Sequence, residues 1–286
     1  MAQAALVLGS GQDGGSPQLG RTGGVGPDRT ASCVAVVSPL GSVILLDITP
    51  DIRHQGRRLL EWRGYPNGRS TFIDGIAITH AHMGHYAGLV HFGREAMASS
   101  AVPLWGTPSM LGYLTVNEPW ASLFDTVDRA GLPAVPHLSG IPFTTSVPVD
   151  DSLTIRPIHV AHRAEFTDTV AISVEIDDDP WLLYLPDIDD WDGLDDVDEV
   201  VGRHGVALLD ATFASADELM GRAITDIPHP LVPDTIDRFR DLTDSTTIVL
   251  THINHSNPLA DPRSSIHALA VDAGFIVATD GLALEG

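Results

Sequence analysis

The sequence predicts an α/β sandwich in which β-sheets are covered by helices. Short apolar runs joined like a hairpin come early in the chain, and strand-like and helix-like segments alternate later in it. A purely parallel, doubly wound sheet would lack the early hairpin, so mixed sheets are favoured. The chain has 286 residues, of which 43% are hydrophobic. This is enough apolar material for one large core, and we expect residues 1–286 to form a single domain.

The first half of the chain begins with strands and continues with helices. Residues 1–8 are apolar and predict a first strand, whereas the Gly-rich residues 9–27 predict a loop. Two apolar runs separated by Pro39-Leu40-Gly41 predict strands at 33–38 and 42–48 that are joined by a turn. The pattern then predicts a helix from residue 49 to 63, a strand at 73–79, and helices at 86–98, 108–114 and 119–130.

The second half repeats strand and helix patterns at short intervals. Strand-like alternation predicts strands at 153–160, 169–176 and 181–185, with further strands at 206–209, 247–251 and 275–278. Helical patterns lie between or after them, at 190–204, 215–222, 234–242 and 262–273.

The composition excludes several classes of protein. The chain has 38 acidic and 16 basic residues, for a net charge of −22, and every basic residue is Arg. Such a surface repels nucleic acids and anionic membranes, and without lysine there is no Schiff-base chemistry. The single cysteine, Cys33, excludes a disulfide scaffold and is expected to be a buried apolar residue. We expect a cytoplasmic protein with a small-molecule substrate and no nucleic-acid or membrane partner, and the sequence leaves monomer and homodimer open.

The segment Gly9-Ser-Gly11-Gln-Asp-Gly14 matches a dinucleotide-binding pattern after a predicted strand. That pattern binds pyrophosphate only if its third glycine enters a helix. Here the chain continues Gly15-Ser16-Pro17, which favours a flexible or ligand-lining loop instead.

A histidine-rich segment follows the predicted strand at 73–79. It reads Thr79-His80-Ala-His82-Met-Gly84-His85 and places three imidazoles within six residues. In an extended backbone, residues two apart point the same way, so His80 and His82 are expected to face one site, with His85 entering from the next helix. Imidazoles are suitable ligands for Zn, Fe or Mn, and the segment therefore predicts a metal site.

This segment resembles the His-x-His-x-Asp-His signature of the metallo-β-lactamase superfamily. The resemblance implies a four-layer αββα sandwich of two mixed β-sheets flanked by helices. It also implies an acid, Asp47, that orients the histidine loop, and three further metal ligands at His162, Asp187 and His252. Several short sequence segments are similar to those of the pyrroloquinoline quinone biosynthesis protein B branch: His162-Arg163, Pro186-Asp187, His252-Ile-Asn254 and Asn257-Pro258.

Two departures from the family pattern bear on the metal site. Gly84 stands where the family has Asp, so one ligand of a second metal is missing, and the cysteines that would hold a structural zinc in the quinone branch are absent. The implied ligands divide into two sets: His80, His82 and His162, like a hydrolytic zinc site, and His85, His252 and Asp187, with the composition of a non-haem iron site.

Other residues are candidates for proton transfer or substrate binding. His229 with Asp210 loosely resembles the acid and histidine pair of the ribonuclease Z branch, although a structural hydrogen bond is an equal alternative. His255 is a candidate for lining the substrate pocket, with a hydrogen-bonded loop histidine as an equal alternative. His159 is an alternative ligand to His162, and Arg163 could bind a substrate carboxylate.

Three functions follow from these residues. The first is a hydrolase of a small molecule or short peptide-like compound that binds one or two divalent metals, with Zn expected and Fe or Mn as alternatives. In it Asp187 orients the nucleophile and His229 or His255 protonates the leaving group. The second is an iron-dependent oxygenase of a biosynthetic intermediate, as the quinone branch implies. The third is a non-catalytic protein in which Gly84 marks a degraded site.

Overall fold

The computed structural model describes residues 2–64, 71–128, 130–219 and 227–286. Within these ranges the strands are β1 (Ala4–Gly9), β2 (Cys33–Val37), β3 (Val43–Leu46), β4 (Gly75–Ala77), β5 (Val102–Gly106), β6 (Leu138–Pro142), β7 (Val147–Pro148), β8 (Leu153–Val160), β9 (Thr169–Ile176), β10 (Asp179–Leu185), β11 (Val206–Asp210), β12 (Thr247–Thr251), β13 (Ile276–Val277) and β14 (Ala283–Glu285). The α-helices are α1 (Ile52–Arg63), α2 (Met83–Tyr86), α3 (Pro108–Val116), α4 (Val197–Gly202), α5 (Val232–Phe239) and α6 (Ser265–Asp272).

The strands form two mixed seven-stranded sheets. The first has the order β14-β1-β2-β3-β4-β5-β6, and the second has the order β13-β12-β11-β10-β9-β8-β7. In the first sheet β14 to β3 pair antiparallel and β3 to β6 pair parallel. In the second, β13 to β10 pair parallel and β10 to β7 pair antiparallel. The predicted α/β sandwich of two mixed sheets is therefore confirmed.

Both faces of the central strands are buried, for example in β2, β3, β9 and β11, which explains the near-continuous apolar runs in the sequence. Along β2, Cys33, Ala35 and Val37 pack towards the helices, whereas Val34 and Val36 pack between the sheets. Helices α1 to α3 cover the outer face of the first sheet, and helices α4 to α6 cover that of the second. Cys33 is fully buried in this packing, as predicted.

Several predicted elements differ from the structure. The predicted helix at 119–130 is a single 3-10 turn at Ala121–Phe124, because only Leu123 of this turn is buried and residues 125–128 are exposed. The predicted helix at 190–204 divides into a 3-10 turn (Trp191–Gly193) and α4, since Asp196 between them has φ 52°. The predicted helix at 86–98 is α2 followed by the 3-10 helix Ala87–Phe92.

The prediction also missed short strands. β5, β6, β7 and β14 lack a strong local pattern, and they form because a neighbouring strand pairs with them. β14 rather than β13 is the last strand, and it pairs with β1. Of the helix predicted at 215–222, the 3-10 helix Ala216–Leu219 accounts for the first part, and the rest lies outside the described residues. Among the described residues, no helix combines the length and apolar character needed to cross a membrane.

Asp280 ties together the two ends of the Gly-rich loop that follows β1. One carboxylate oxygen accepts hydrogen bonds from the backbone N–H and hydroxyl of Ser10, at 3.0 and 2.9 Å. The other accepts from the N–H and hydroxyl of Thr30, at 2.9 and 2.8 Å. The guanidinium of Arg58 lies 3.4 Å from the same carboxylate. This single side chain therefore fixes where the loop begins and ends.

We expect Asp280→Ala to lower the free energy of unfolding by about 3 kcal/mol, because it leaves the N–H groups of Ser10 and Thr30 without an acceptor. Urea denaturation of the metal-free protein measures the change. The exposed residue Asp244 provides a control, and Asp244→Ala is expected to stay within about 0.5 kcal/mol of the unchanged protein. A loss of less than about 1 kcal/mol for Asp280→Ala would contradict this role.

Candidate metal centre

A buried cluster of histidines and carboxylates lies at one edge of the two sheets. Asp47 follows β3, the histidine loop follows β4, His162 follows β8, Asp187 follows β10, and His252 follows β12. These strands run in the same direction within their sheets, so their carboxyl ends reach the same edge. This arrangement brings together six residues that are each at most 9% exposed: His80, His82, His85, His162, Asp187 and His252.

Outer hydrogen bonds orient His80 and His82. The Nδ1 of His80 lies 2.9 Å from the hydroxyl of Thr79, which itself donates to Asp47. The Nε2 of His82 lies 3.0 Å from the carboxylate of Glu165. The remaining nitrogens, Nε2 of His80 and Nδ1 of His82, are only 2.8 Å apart. When each ring carries its proton on the outer nitrogen, the inner nitrogen keeps a free lone pair. The two lone pairs face the same point and are available to a metal.

His162 and Asp187 complete this first half-site, which we define as His80, His82 and His162 with Asp187. The Nε2 of His162 lies 3.5 Å from one carboxylate oxygen of Asp187, and its Nδ1 lies 3.0 Å from Asp189. These four residues offer ligand atoms that all lie within 4.8 Å of one another.

The second half-site contains His85, His252 and a residue that the sequence did not indicate, Asp13. Asp47 accepts a hydrogen bond from Nδ1 of His85 at 2.7 Å, which turns Nε2 of that ring inwards. There Nε2 lies 3.1 Å from Asp13 and 3.1 Å from the second oxygen of Asp187. The Nε2 of His252 lies 3.3 Å from the same oxygen of Asp187 and 3.8 Å from Asp13.

His252 is held in place by its backbone and by a hydroxyl. Its φ of 58° is left-handed, which turns the side chain away from the line of β12. Its Nδ1 lies 2.9 Å from the hydroxyl of Thr212, and that hydroxyl donates to Asp210. As with His80 and His85, an outer partner fixes one ring nitrogen and leaves the other facing the cluster.

The inward atoms fit a bound cation better than they fit one another. Buried atoms without a hydrogen bond include Nε2 of His85, His162 and His252, together with one carboxylate oxygen each of Asp13 and Asp187. Several of them are within 3.5 Å of an opposite partner, but not in the direction of a hydrogen bond. Burying such groups without partners is costly, and a cation shared among them removes that cost.

Burial and neighbouring charges determine the protonation of the cluster. Burial lowers the pKa of His80 well below its usual value and that of His162 to about 4, so both imidazoles are neutral, as metal ligands must be. Burial opposes ionisation of Asp187, but the imidazoles of His252 and His85 outweigh it and hold the pKa of the carboxyl well below its usual range. Burial also opposes ionisation of Asp13, but the same two histidines outweigh it and lower the pKa of this carboxyl well below its usual value.

The predicted pair of Asp210 and His229 lies beside this cluster. Asp210 accepts a hydrogen bond from Nδ1 of His229 at 2.7 Å, and both side chains are fully buried. The Nε2 of His229 is a buried nitrogen without a hydrogen bond. Its ring centroid lies 5.3 Å from that of His162 and 5.9 Å from that of His252. Burial lowers the pKa of His229, but Asp210 outweighs burial and the net shift is upwards.

Three other candidates lie outside the cluster. The side chain of His159 is 63% exposed and lies 3.6 Å from Asp168, so His162 and not His159 lies in the buried cluster. His255 contacts the side-chain oxygen of Asn254 at 3.0 Å, and no contact among the described residues joins it to the buried histidines. The guanidinium of Arg163 lies 3.6 Å from Glu165.

Sequence reasoning missed three carboxylates around the site: Asp13, Glu165 and Asp189. The last two lie within a few residues of His162 and Asp187, so their proximity was an available signal. Asp13 is more than sixty residues from the histidine loop. It lies in a Gly-rich segment with no metal-ligand pattern, and residues 10–15 form a loop rather than a nucleotide-binding helix, as expected.

The chain is similar to known proteins along most of its length. A family model described as the Beta-lactamase superfamily domain matches residues 43–253, which include the histidine loop, His162, Asp187 and His252. Coenzyme PQQ synthesis protein B of Gluconacetobacter diazotrophicus is 27% identical, with 97% of each chain covered. The corresponding protein of Azoarcus sp. is also 27% identical, with 98% of each chain covered.

Solved structures show the same architecture. Zn(2+)-bound PqqB from Methylobacterium extorquens superposes with a TM-score of 0.79 at 21% identity, covering 98% of this chain and 99% of that one. A diphosphatase from the PhnP family superposes with a TM-score of 0.70 at 22% identity, covering 100% and 98% of the two chains. The expected metallo-β-lactamase-like sandwich, similar to PqqB, is confirmed. The chain therefore belongs to the beta-lactamase superfamily.

Proposed function

We propose that the protein is a metal-dependent hydrolase that acts on a small molecule or a short peptide-like compound. The observation that carries this proposal is the convergence of buried imidazole nitrogens on the two oxygens of Asp187. One oxygen lies 3.5 Å from His162, and the other lies 3.1 and 3.3 Å from His85 and His252. A carboxylate shared by two sets of ligands is suited to a centre that holds one or two cations.

We propose Zn as the metal. The three imidazoles of the first half-site, His80, His82 and His162, have the composition of hydrolytic zinc sites. A PqqB structure with Zn(2+) has the same fold, which supports the assignment. When bound, such a cation polarises a carbonyl or phosphoryl oxygen and lowers the pKa of water towards neutrality.

The residues of this chain supply the remaining chemistry. We propose that Asp187 orients the attacking water, because one of its oxygens faces each half-site. His229 is the proposed proton donor to the leaving group, since its Nδ1 is held by Asp210 and its Nε2 is free on the side of His162 and His252. Asp210 raises the pKa of His229 against the effect of burial, which favours the protonated ring that a proton donor requires. His255, the other candidate donor, has no comparable position.

Charge and local surface favour a small substrate over a nucleic acid. The net charge of −22 opposes a polyanion. The loop carrying Glu165, which contacts His82, also carries Phe166, which is 60% exposed and whose ring centroid lies 5.7 Å from that of Tyr113. An exposed aromatic ring beside the cluster provides an apolar contact for a compact organic ligand.

The experiment is hydrolysis of a small panel by Zn-loaded protein. Suitable probes are bis(p-nitrophenyl) phosphate for phosphodiesters, p-nitrophenyl acetate for esters and a p-nitroanilide dipeptide for amides. We expect metal-dependent turnover of at least one bond class, lost on chelation and restored by Zn. Absence of turnover with every class, in protein shown to hold metal, would contradict the proposal.

His229→Gln is expected to lower kcat by about 100-fold or more on a substrate with a poor leaving group, because such a group must be protonated as it departs. On a p-nitrophenyl substrate of the same bond class the loss should be below about 10-fold, since that leaving group needs no proton. Metal content should not change. The exposed His54 provides a control, and His54→Gln should resemble the unchanged protein. Equal losses on both substrates would rule out proton donation.

A second candidate function is an oxygenase of a biosynthetic intermediate. Two observations favour it: the second half-site combines two histidines with carboxylates, a composition typical of non-haem iron, and the similar curated proteins belong to PQQ synthesis. Anaerobic purification, metal analysis and an oxygen electrode separate the two functions. Bound Zn without oxygen consumption would reject the oxygenase, whereas bound Fe with substrate-dependent oxygen consumption would reject the hydrolase.

A further inference from the structure

We propose that Asp13 is a metal ligand which takes the place of the missing motif aspartate, so that the centre holds a second cation between Asp13, His85 and His252, with Asp187 shared. Gly84 then marks a relocated ligand rather than a degraded site. The inference rests on the metal centre of the proposed function, but it does not depend on which reaction that centre catalyses.

The first support is the arrangement of ligand atoms. The carboxylate of Asp13 lies 3.1 Å from Nε2 of His85 and 3.8 Å from Nε2 of His252. Asp187 approaches the same two nitrogens at 3.1 and 3.3 Å. All four atoms are buried and none has a hydrogen bond. Two carboxylate oxygens and two imidazole nitrogens around one position form an oxygen and nitrogen ligand set suited to Zn, Fe or Mn.

The second support is the fit between Asp13 and Gly84. A Cβ at residue 84 would lie 2.3 Å from a carboxylate oxygen of Asp13 and 2.5 Å from its Cα. A side chain at position 84 and the observed position of Asp13 therefore exclude each other. The carboxylate of Asp13 occupies the space that a side chain at position 84 would need. Asp13 can therefore supply a carboxylate to the site only because residue 84 is Gly.

The third support is that backbone contacts hold Asp13 in place. The N–H of Gln12 donates to the carbonyl of Ile253 at 3.1 Å, and the N–H of Ile253 donates to the carbonyl of Ser10 at 2.9 Å. The segment that carries Asp13 is thus paired with the residue following His252. With Asp280 clamping Ser10, the loop presents Asp13 to the second half-site as a fixed side chain.

With Asp13 included, each half-site has three ligands of its own. The first has three imidazoles, and the second has two imidazoles and a carboxylate, with Asp187 between them. This composition gives the second half-site the more negative ligand set. We therefore expect loss of Asp13 to affect the second cation and to leave the first in place.

The test is the metal content and Zn affinity of four proteins, measured by elemental analysis after gel filtration and by titration calorimetry. The unchanged protein should bind about two Zn ions per chain. Asp13→Asn, which keeps the shape and removes the charge, should weaken the second ion by about 100-fold or more and retain the first. Asp28→Ala, which changes an exposed acid on the same loop, should still bind about two.

The fourth protein, Gly84→Ala, adds a Cβ that would lie 2.5 Å from the Cα of Asp13, so it should displace Asp13 and weaken the second ion as Asp13→Asn does. Circular dichroism and thermal unfolding of the metal-free proteins confirm that each is folded. Asp13→Asn with an unchanged second ion would overturn the inference, as would an unchanged protein that binds only one ion. Failure of the unchanged protein to bind any ion would overturn the proposed function as well.

Discussion

Replacing both His80 and His82 by alanine is expected to remove the first cation completely and to reduce hydrolysis at least about 1000-fold. Both inner nitrogens, 2.8 Å apart, belong to the first half-site, and the double variant leaves only His162 and the shared Asp187 there. Two remaining protein ligands are too few for the coordination of zinc in hydrolytic sites.

The metal content of this variant should fall by at least one ion per chain, and thermal unfolding gives a second measurement. A ligand at 1000 times its Kd stabilises the native state by about 4 kcal/mol. For a chain of this size, we therefore expect added Zn to raise the Tm by about 10 °C in the unchanged protein. The double variant should show a much smaller increase.

A matched control replaces two exposed histidines, His54 and His159. The variant His54→Ala/His159→Ala should keep its metal and its Zn-dependent stabilisation. Undiminished stoichiometric binding after loss of His80 and His82 would contradict the assignment of the first half-site.

Asp187→Asn is expected to have the second-largest effect. The asparagine keeps the shape of the side chain but removes a charge that faces His162 with one oxygen and His85 and His252 with the other. We expect the affinity for both cations to fall at least about 100-fold, because changes to even the outer partners of metal ligands typically cost 10–100-fold. The kcat should fall about 1000-fold, since the same residue orients the nucleophile.

Two neighbours of Asp187 give graded controls. The carboxylate of Asp189 lies 3.0 Å from the outer nitrogen of His162 and accepts a hydrogen bond from the N–H of Arg163, so Asp189→Asn should weaken one cation by about 10–100-fold. Asp190 is exposed, and Asp190→Asn should have no effect on metal binding. Equal effects of Asp187→Asn and Asp189→Asn on both cations would contradict a bridging position for Asp187.

The parts of the site that were predictable from sequence are those close together along the chain. His80, His82 and His85 lie in one loop after an apolar strand, so their spacing alone indicates a shared site. His162, Asp187 and His252 follow three other strands, and only the resemblance to a family indicated that these strand ends meet. The pairing of Asp210 with His229 was foreseen in the same way, and the structure has it at 2.7 Å.

Asp13 could not be predicted because its contact is created entirely by tertiary packing. Nothing in residues 9–15 shows that they pair with the segment after His252, or that Gly84 leaves room for a carboxylate. For the same reason β14 was missed, since pairing with β1 forms it. The wrongly predicted helix at 119–130 fails for the opposite reason: a local pattern was present, but only Leu123 of the turn that forms there has a core to pack against.

The most direct test of the account is elemental analysis of the native protein, purified anaerobically without added metal or chelator. We expect about two tightly bound divalent cations per chain, removed by a chelator and restored by Zn, with the loss and recovery of hydrolysis following the metal. A folded protein that holds no divalent cation as isolated, and binds none at micromolar Zn, would contradict it.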